Sequence, residues 1–286
     1  MTAPAVEPFG TRLAGAVAAR GPLCVGIDPH RSLLLDWDLP DDVDGLRRFT
    51  DIVVEALAGR VAVLKPQLAF YERHGSRGIA VLEEAVVRAR AAGALVLLDA
   101  KRGDIGSTMA AYADYLRPDH PLAVDALTVS PFLGSGSLEP AVRTARATGG
   151  GLFVLARTSN QEGGEVQHAV AGGRSVAQTV VDAVGRWNSP DASSDPAPGG
   201  RGPGPGSFGV VIGATLPELD VDLTGLGGPV LAPGLGAQGG SVADLRRLFG
   251  SDRAVVPTVS RDVLAAGPDV AALRTAADRW AAQLRR

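Results

Sequence analysis

An α/β fold of the (β/α)8 type, a TIM barrel in a single domain, is what this sequence predicts, and three observations carry the prediction. Eight short apolar runs alternate with longer amphipathic stretches across 286 residues; apolar strands separated by helices indicate a parallel sheet covered on its outside. The length suits one barrel, a fold of about 250 residues. The first strand-to-helix turn, Gly26-Ile27-Asp28-Pro29-His30, lacks the G-x-G-x-x-G phosphate turn expected of an open doubly wound sheet, which disfavours that alternative.

The elements follow in order. A helical segment, Phe9–Ala19, precedes the first strand and would close the bottom of the barrel. The strand Leu23–Asp28 leads to the helix Val43–Ala58, and the strand Val61–Lys65 to the helix Ser76–Ala92. In that second helix Val81-Leu82-x-x-Ala85-Val86 has the spacing of one helical face. Then come Ala94–Asp99 with Thr108–Leu116, Ala123–Ser130 with Ser137–Ala147, and Leu152–Arg157 with a long helix over Val170–Trp187. The sixth strand, Phe208–Gly213, is followed through Leu216-Pro217-Glu218-Leu219 by room for only a short helix. Pro229–Ala232 with Val242–Phe249 and Ala254–Val259 with Asp269–Arg285 complete the set.

One segment breaks the rhythm. Residues 189–207 read SPDASSDPAPGGRGPGPGS, without a large apolar side chain. Such a stretch cannot bury enough surface to offset its ordering entropy. A disordered insertion on the N-terminal face, away from the chemistry, is expected there. It is not a domain linker, because both flanks continue the same alternation.

Composition narrows the function. Hydrophobic residues make up 45% and charged residues 21%, with a net charge of -3; this is a soluble globular chain with no case for a nucleic-acid partner. No apolar stretch reaches the ~20 residues of a membrane span, and the N-terminus, with Glu7 and Arg12, lacks the apolar core of a signal peptide. A cytoplasmic location is expected. The lone cysteine, Cys24, lies in an apolar run and reads as a core residue. The four histidines are scattered, so no metal site is expected.

The chain has two lysines, Lys65 and Lys101, against 26 arginines. Both end apolar runs, beside carboxylates. An ammonium is compact and gives up its proton far more readily than a guanidinium, so lysines kept here point to proton chemistry. Alternate strand residues share a face; Asp99 and Lys101 therefore point together into the mouth of the barrel, where active sites of this fold lie. Asp28 and Lys65 end the first two strands, and Asp104 follows Lys101 after a glycine turn. In such a cluster each charge fixes the protonation state of the next. The alternative is an ion-pair ring that seals the barrel top.

Glycine-rich strand ends come late in the chain: Gly213-Ala214-Thr215, Ala232-Pro233-Gly234-Leu235-Gly236-Ala237-Gln238-Gly239-Gly240, and Ser260-Arg261-Asp262. Phosphate sites in this fold are often built from the loops after strands seven and eight, where glycines let N–H groups approach an anion. Gln238 and Arg261 add side-chain donors, and Arg261 suits a phosphate fork. Glycines alone would mark only tight turns. After strand five, Thr158, Ser159 and Asn160 can recognise a heterocyclic amide, although such clusters also cap helices and form turns.

These residues carry a resemblance. Asp99-Ala-Lys101-Arg-Gly-Asp104-Ile105-Gly-Ser-Thr108 is similar to the D-x-K-x-x-D-I-x-x-T signature of the orotidine 5′-phosphate decarboxylase family. The likeness runs from Asp28 to Arg261 in the expected order. Lys65-Pro-Gln67, Arg157-Thr-Ser-Asn160 and Ala232-Pro-Gly-Leu-Gly-Ala-Gln238 resemble its longer, second type, found in some bacteria.

The resemblance implies a cofactor-independent decarboxylation of orotidine 5′-monophosphate to UMP and CO2, the last step of de novo pyrimidine synthesis. Lys101 would protonate C6 of the pyrimidine and Asp99 would lie beside the departing carboxylate. Asp28 and Lys65 would bind ribose hydroxyls, with Gln67 touching the ribose or the charged network. Ser159 and Thr158 would contact the pyrimidine amide, Pro233 would lie against the base, and Gln238, Ser260 and Arg261 would hold the phosphate. Asp104 and Thr108 would reach the neighbouring subunit's site, which implies a homodimer. The chain departs from the pattern at Gly236, where the shorter type carries arginine, and at Ser260, where glycine is frequent; a backbone N–H still serves at the latter. The rivals are a magnesium-dependent sugar-phosphate enzyme on a related barrel, a non-catalytic barrel that binds pyrimidine nucleotides, and a purely structural barrel.

Overall fold

The computed structural model describes residues 6–189, 205–251 and 253–285. Eight parallel strands form a closed ring in chain order: β1 (Cys24–Ile27), β2 (Val63–Pro66), β3 (Leu95–Arg102), β4 (Ala126–Val129), β5 (Gly151–Arg157), β6 (Phe208–Ile212), β7 (Val230–Pro233) and β8 (Val255–Val259), which pairs back onto β1. Each overlaps the run expected for it, as the (β/α)8 barrel requires.

The interior is a packed core, not a pore. Each strand sends one apolar side chain into the same inner cluster: Cys24, Val63, Leu97, Ala126, Phe153, Val211, Leu231 and Val256. Phe9 and Leu13 of the helix Phe9–Arg20 join it from below, so this helix does close the bottom. Phe9 meets Phe153 edge-on at 6.0 Å between centroids, and a Cβ at Gly151 would collide with the Phe9 ring. Arg12 of the same helix pairs with Asp125, which is 3% exposed, and donates to the Gly149 carbonyl at 2.9 Å. Asp125 also accepts the Val96 N–H at 2.8 Å. A larger outer layer packs the helices on the strands; in Val43–Leu57, Leu46, Phe49, Val53 and Leu57 form its buried stripe.

Several expectations need correction. The long helix over Val170–Trp187 is instead a hairpin, Val170–Ala171 with Arg174–Ser175, followed by the helix Val176–Asn188. Gly172 and Gly173 adopt positive φ (61° and 80°) and make the two-residue turn, and the Ser175 hydroxyl then caps the helix through the Gln178 N–H. No helix forms over Leu216–Leu219. The helix after β3 spans Gly106–Ala113 and continues as a 3-10 turn, while that after β4 starts at Glu139 behind another 3-10 turn. Short helices Arg31–Asp36 and Ala69–Glu72 follow β1 and β2. Of the insertion expected at 189–207, residues 190–204 lie outside the described residues. Among the described residues no helix is long and apolar enough to cross a membrane.

Candidate active site

At the C-terminal mouth of the barrel lies a cavity of about 530 Å³. Its lining includes Asp28, Lys65, Gln67, Asp99, Lys101, Thr158, Ser159, Pro233, Gln238, Ser260 and Arg261. Eleven of the thirteen expected site residues therefore converge. Asp104 and Thr108 do not line it; they lie beyond β3, at the start of the next helix.

The centre is a chain of charges. Asp99 accepts from Lys65 Nζ at 2.8 Å through Oδ2 and from Lys101 Nζ at 2.7 Å through Oδ1. Oriented to satisfy its neighbours, the Gln67 amide donates to the Asp99 carbonyl at 2.5 Å and to Oδ2 at 3.2 Å. Thr128 of β4, which the sequence reading missed, donates to Oδ1 at 2.9 Å. Burial on its own would raise the Asp99 carboxyl, but the two ammoniums outweigh it and hold the group well below the usual carboxylate range. Burial likewise opposes charge on Lys65, and Asp99 with Asp28 keeps it protonated above the ordinary lysine value. The lysines differ in access: the Lys65 side chain is 7% exposed and that of Lys101 45%.

Strand geometry produces this convergence. Lys65 lies opposite Gly26 in the β1–β2 ladder. A Cβ at Gly26 would sit 2.9 Å from both Asp28 Oδ2 and Ser260 Cβ, so glycine lets those two residues close on the site. Asp28 Oδ1, Thr258 Oγ1 and Ser260 Oγ are buried without a hydrogen-bond partner among the described residues, and all three belong to the cavity wall. Orphaned polar atoms of this kind cost about 1–3 kcal/mol each when nothing satisfies them; together they suit a ligand rich in hydroxyl or anionic oxygen.

Two parts of the cavity wall differ. At one, Arg261 is exposed and Gln238 packs by Gly234, whose φ is 112°. Gly236 has φ 72°, and a Cβ there would collide with the Asp262 carboxylate. A side chain at 236 would need a strained backbone and a displaced Asp262 carboxylate, and Gln238 and Arg261 are the cavity's side-chain donors on that side. At the other, Thr158 is tied down: its N–H donates to Gln167 Oε1 at 2.9 Å and its hydroxyl donates to Asn160 Oδ1 at 2.6 Å. Ser159 has no such partner among the described residues and packs on Gly213. Behind this loop Arg157 Nε donates to both Asp220 oxygens at 3.1 and 3.0 Å, and His168 Nε2 lies 2.9 Å from Asp220 Oδ2. His30 also lines the cavity, its ring 4.4 Å from that of Phe70; a lone histidine after Asp28-Pro29 gave no signal. Among the described residues no three His, Cys, Asp or Glu side chains gather as a metal site.

A family model described as orotidine 5′-phosphate decarboxylase / HUMPS matches residues 21–276. The chain belongs to this family. It is 63% identical over 283 residues to the orotidine 5′-phosphate decarboxylase of Streptomyces coelicolor and 61% identical over 283 residues to that of Salinispora arenicola, each match covering 98% of both chains. A crystal structure from Streptomyces avermitilis, 60% identical, aligns with a TM-score of 0.90 over 100% of this chain and 97% of that one. The OMP decarboxylase of Leishmania donovani, 28% identical, aligns at 0.71 over 98% of both. The stretch matched by the family model takes in every site residue named above.

Proposed function

We infer that this enzyme decarboxylates orotidine 5′-monophosphate to UMP and CO2, the last step of UMP synthesis. The observation that carries the reading is the Lys65–Asp99–Lys101 chain of charges, at the mouth of a cavity that also holds Gln238 and Arg261. In the proposed reaction the bond from C6 to the carboxylate breaks and its electron pair stays on C6. The Lys101 ammonium stabilises that charge as it develops, then transfers a proton to C6. The neutral amine regains a proton from solvent, to which Lys101 is open. Asp99, held ionised between two ammoniums, keeps Lys101 Nζ in place and lies beside the departing carboxylate.

Arg261, Gln238 and the glycine-rich turn after β7 hold the phosphate, remote from the reacting carbon. Asp28 and Lys65 take the ribose hydroxyls. Ser159, whose hydroxyl has no partner among the described residues, reads the pyrimidine amide and Pro233 packs on the base. Phosphate binding energy is then available to exclude water from the site.

Asp104 and Thr108 serve a second copy of the chain. They do not line their own cavity, and apolar side chains near them in the chain or on the next loop are exposed: Ile105 is 63% exposed, Phe132 78% and Leu133 52%. The loops after β3 and β4 touch, since a Cβ at Gly103 would collide with the Ser130 carbonyl oxygen. A dimer that covers this patch brings Asp104 and Thr108 to the partner's ribose.

The test is the ultraviolet spectrum of orotidine 5′-monophosphate mixed with the protein and EDTA. Conversion to the spectrum of UMP is expected. An unchanged spectrum with folded protein would overturn the reading in favour of a magnesium-dependent relative or a binding-only barrel.

A further inference from the structure

The β3–β4 ladder is broken at one place. Leu97 pairs with Ala126 and Leu98 with Leu127, but the next pairing is Arg102 with Val129. Three residues of β3, Asp99, Ala100 and Lys101, therefore stand opposite a single residue of β4, Thr128. Bulges re-aim side chains and are common beside active sites. Here the bulge carries both the acid and the ammonium of the proposed chemistry.

The bulge carries strain as well. Lys101 has φ 49°, a left-handed conformation that side-chain-bearing residues seldom adopt. Thr128 meets it with two bonds. Its Oγ1 accepts the Lys101 backbone N–H at 2.9 Å, in place of the ladder bond that the register break removes. The same hydroxyl donates to Asp99 Oδ1 at 2.9 Å, the oxygen that holds Lys101 Nζ. Thr128 is 1% exposed and lies in the cavity wall. With its proton committed to a carboxylate and its lone pair to an amide, the hydroxyl fixes both ends of the Lys101 residue.

We propose that Thr128 is a positioning residue for the decarboxylation, acting through Asp99 and Lys101 and not on the substrate's binding groups. The proposal rests on the functional reading above. Loss of the hydroxyl leaves the Lys101 amide unpartnered and removes one of the two donors to Asp99 Oδ1, so the carboxylate that holds the ammonium is itself less firmly fixed. A misplacement of about 1 Å at a reacting group costs on the order of 100-fold in rate.

The experiment compares wild type with Thr128→Val, which keeps the shape without the hydroxyl, and Thr128→Ser, which keeps the hydroxyl without the methyl. Steady-state turnover of orotidine 5′-monophosphate, UMP affinity and melting temperature are measured for each. The expected result is a fall in kcat of ~30–100-fold for Thr128→Val, KM and UMP affinity within about threefold of wild type, and kcat largely restored in Thr128→Ser. If the valine variant does not fold, Thr128→Ala takes its place against serine. A valine or alanine variant with kcat within threefold of wild type overturns the proposal. So does a serine variant as slow as valine, which would trace the effect to packing of the methyl. A wild type that leaves orotidine 5′-monophosphate unchanged overturns the functional reading instead, and the positioning role with it.

Discussion

Replacing Asp99 with asparagine keeps the side chain's shape and removes one charge from the centre of the site. Lys65 then loses the Oδ2 partner at 2.8 Å while its side chain remains 7% exposed. Breaking a buried ion pair by removing one member costs ~3–5 kcal/mol, because the other charge stays desolvated. Asp28 persists as a counter-charge, which favours the lower end, about 3 kcal/mol. At ~2–4 °C per kcal/mol for a chain of this size, the melting temperature should fall by roughly 6–12 °C. The pH dependence should change with it. In the wild type the Lys65 value is raised, so its contribution is complete below the unfolded value of about 10.4 and lost only at higher pH. The Asp99 value is depressed, so its contribution is complete above about 3.9 and lost only in strong acid. Neither alters stability between pH 5 and 9. In Asp99→Asn burial dominates at Lys65 and lowers its folded value, so the unfolded state binds more protons and stability rises with pH. Scanning calorimetry from pH 6 to 10 measures both effects. The double variant Asp99→Asn with Lys65→Met should regain part of the lost stability. A single variant that melts within 2 °C of wild type, with no pH trend, would refute the assignment of Lys65 as a buried cation held by Asp99.

Lys101→Ala should abolish measurable turnover, a loss of at least ~10²–10⁴-fold, with UMP affinity and melting temperature near wild type; Lys101→Arg should fail equally, because a guanidinium does not release its proton. Arg261→Ala should raise KM for orotidine 5′-monophosphate by ~10–100-fold with a smaller change in kcat, as expected for loss of a charge-assisted bond to phosphate; an unchanged KM removes Arg261 from that role. Separately inactive Lys101→Ala and Asp104→Ala chains should regain activity when refolded together, since one of the two shared sites then carries neither lesion; inactivity of a demonstrated mixed dimer refutes the sharing. Burial pushes the Cys24 thiol up to about 12, so iodoacetamide at pH 8 should leave it unlabelled in the native protein and label it in urea, as read by mass spectrometry.

The barrel was legible because its strands are buried on both sides and read as plain apolar runs, and because, Asp125 apart, charge appears only where those runs end. Lys65, Asp99 and Lys101 were found that way. The argument that placed Asp99 and Lys101 together was alternation along a regular strand, yet the structure brings them together through a register break with Lys101 at positive φ. Alternation cannot foresee a break, and Thr128, the residue opposite it, looked like any β-branched strand former. The hairpin after β5 was hidden because Val170 to Trp187 carries an amphipathic pattern; only Gly172-Gly173 marked the turn. The segment after β6 has no periodicity to read, and its purpose emerges only in space, where Asp220 anchors Arg157 behind the Thr158–Ser159 loop. The Arg12–Asp125 pair spans 113 residues of sequence, a separation no local pattern reports.

The uneven exposure of the two lysines makes this protein unusual as a chemical reagent. Amine-directed probes normally scatter over dozens of surface lysines. Here one lysine side chain is sealed inside the barrel and the other opens at its mouth, so the only lysine such a probe can reach in the folded chain is the one proposed to move the proton. A pyridoxal phosphate or trinitrophenyl adduct would place a spectroscopic reporter, or an anchor on a solid support, on a single lysine side chain of the native sequence without any engineered residue, the chain's α-amino group being the other amine such reagents modify. Protection of that side chain by bound UMP would then read out occupancy of the site directly.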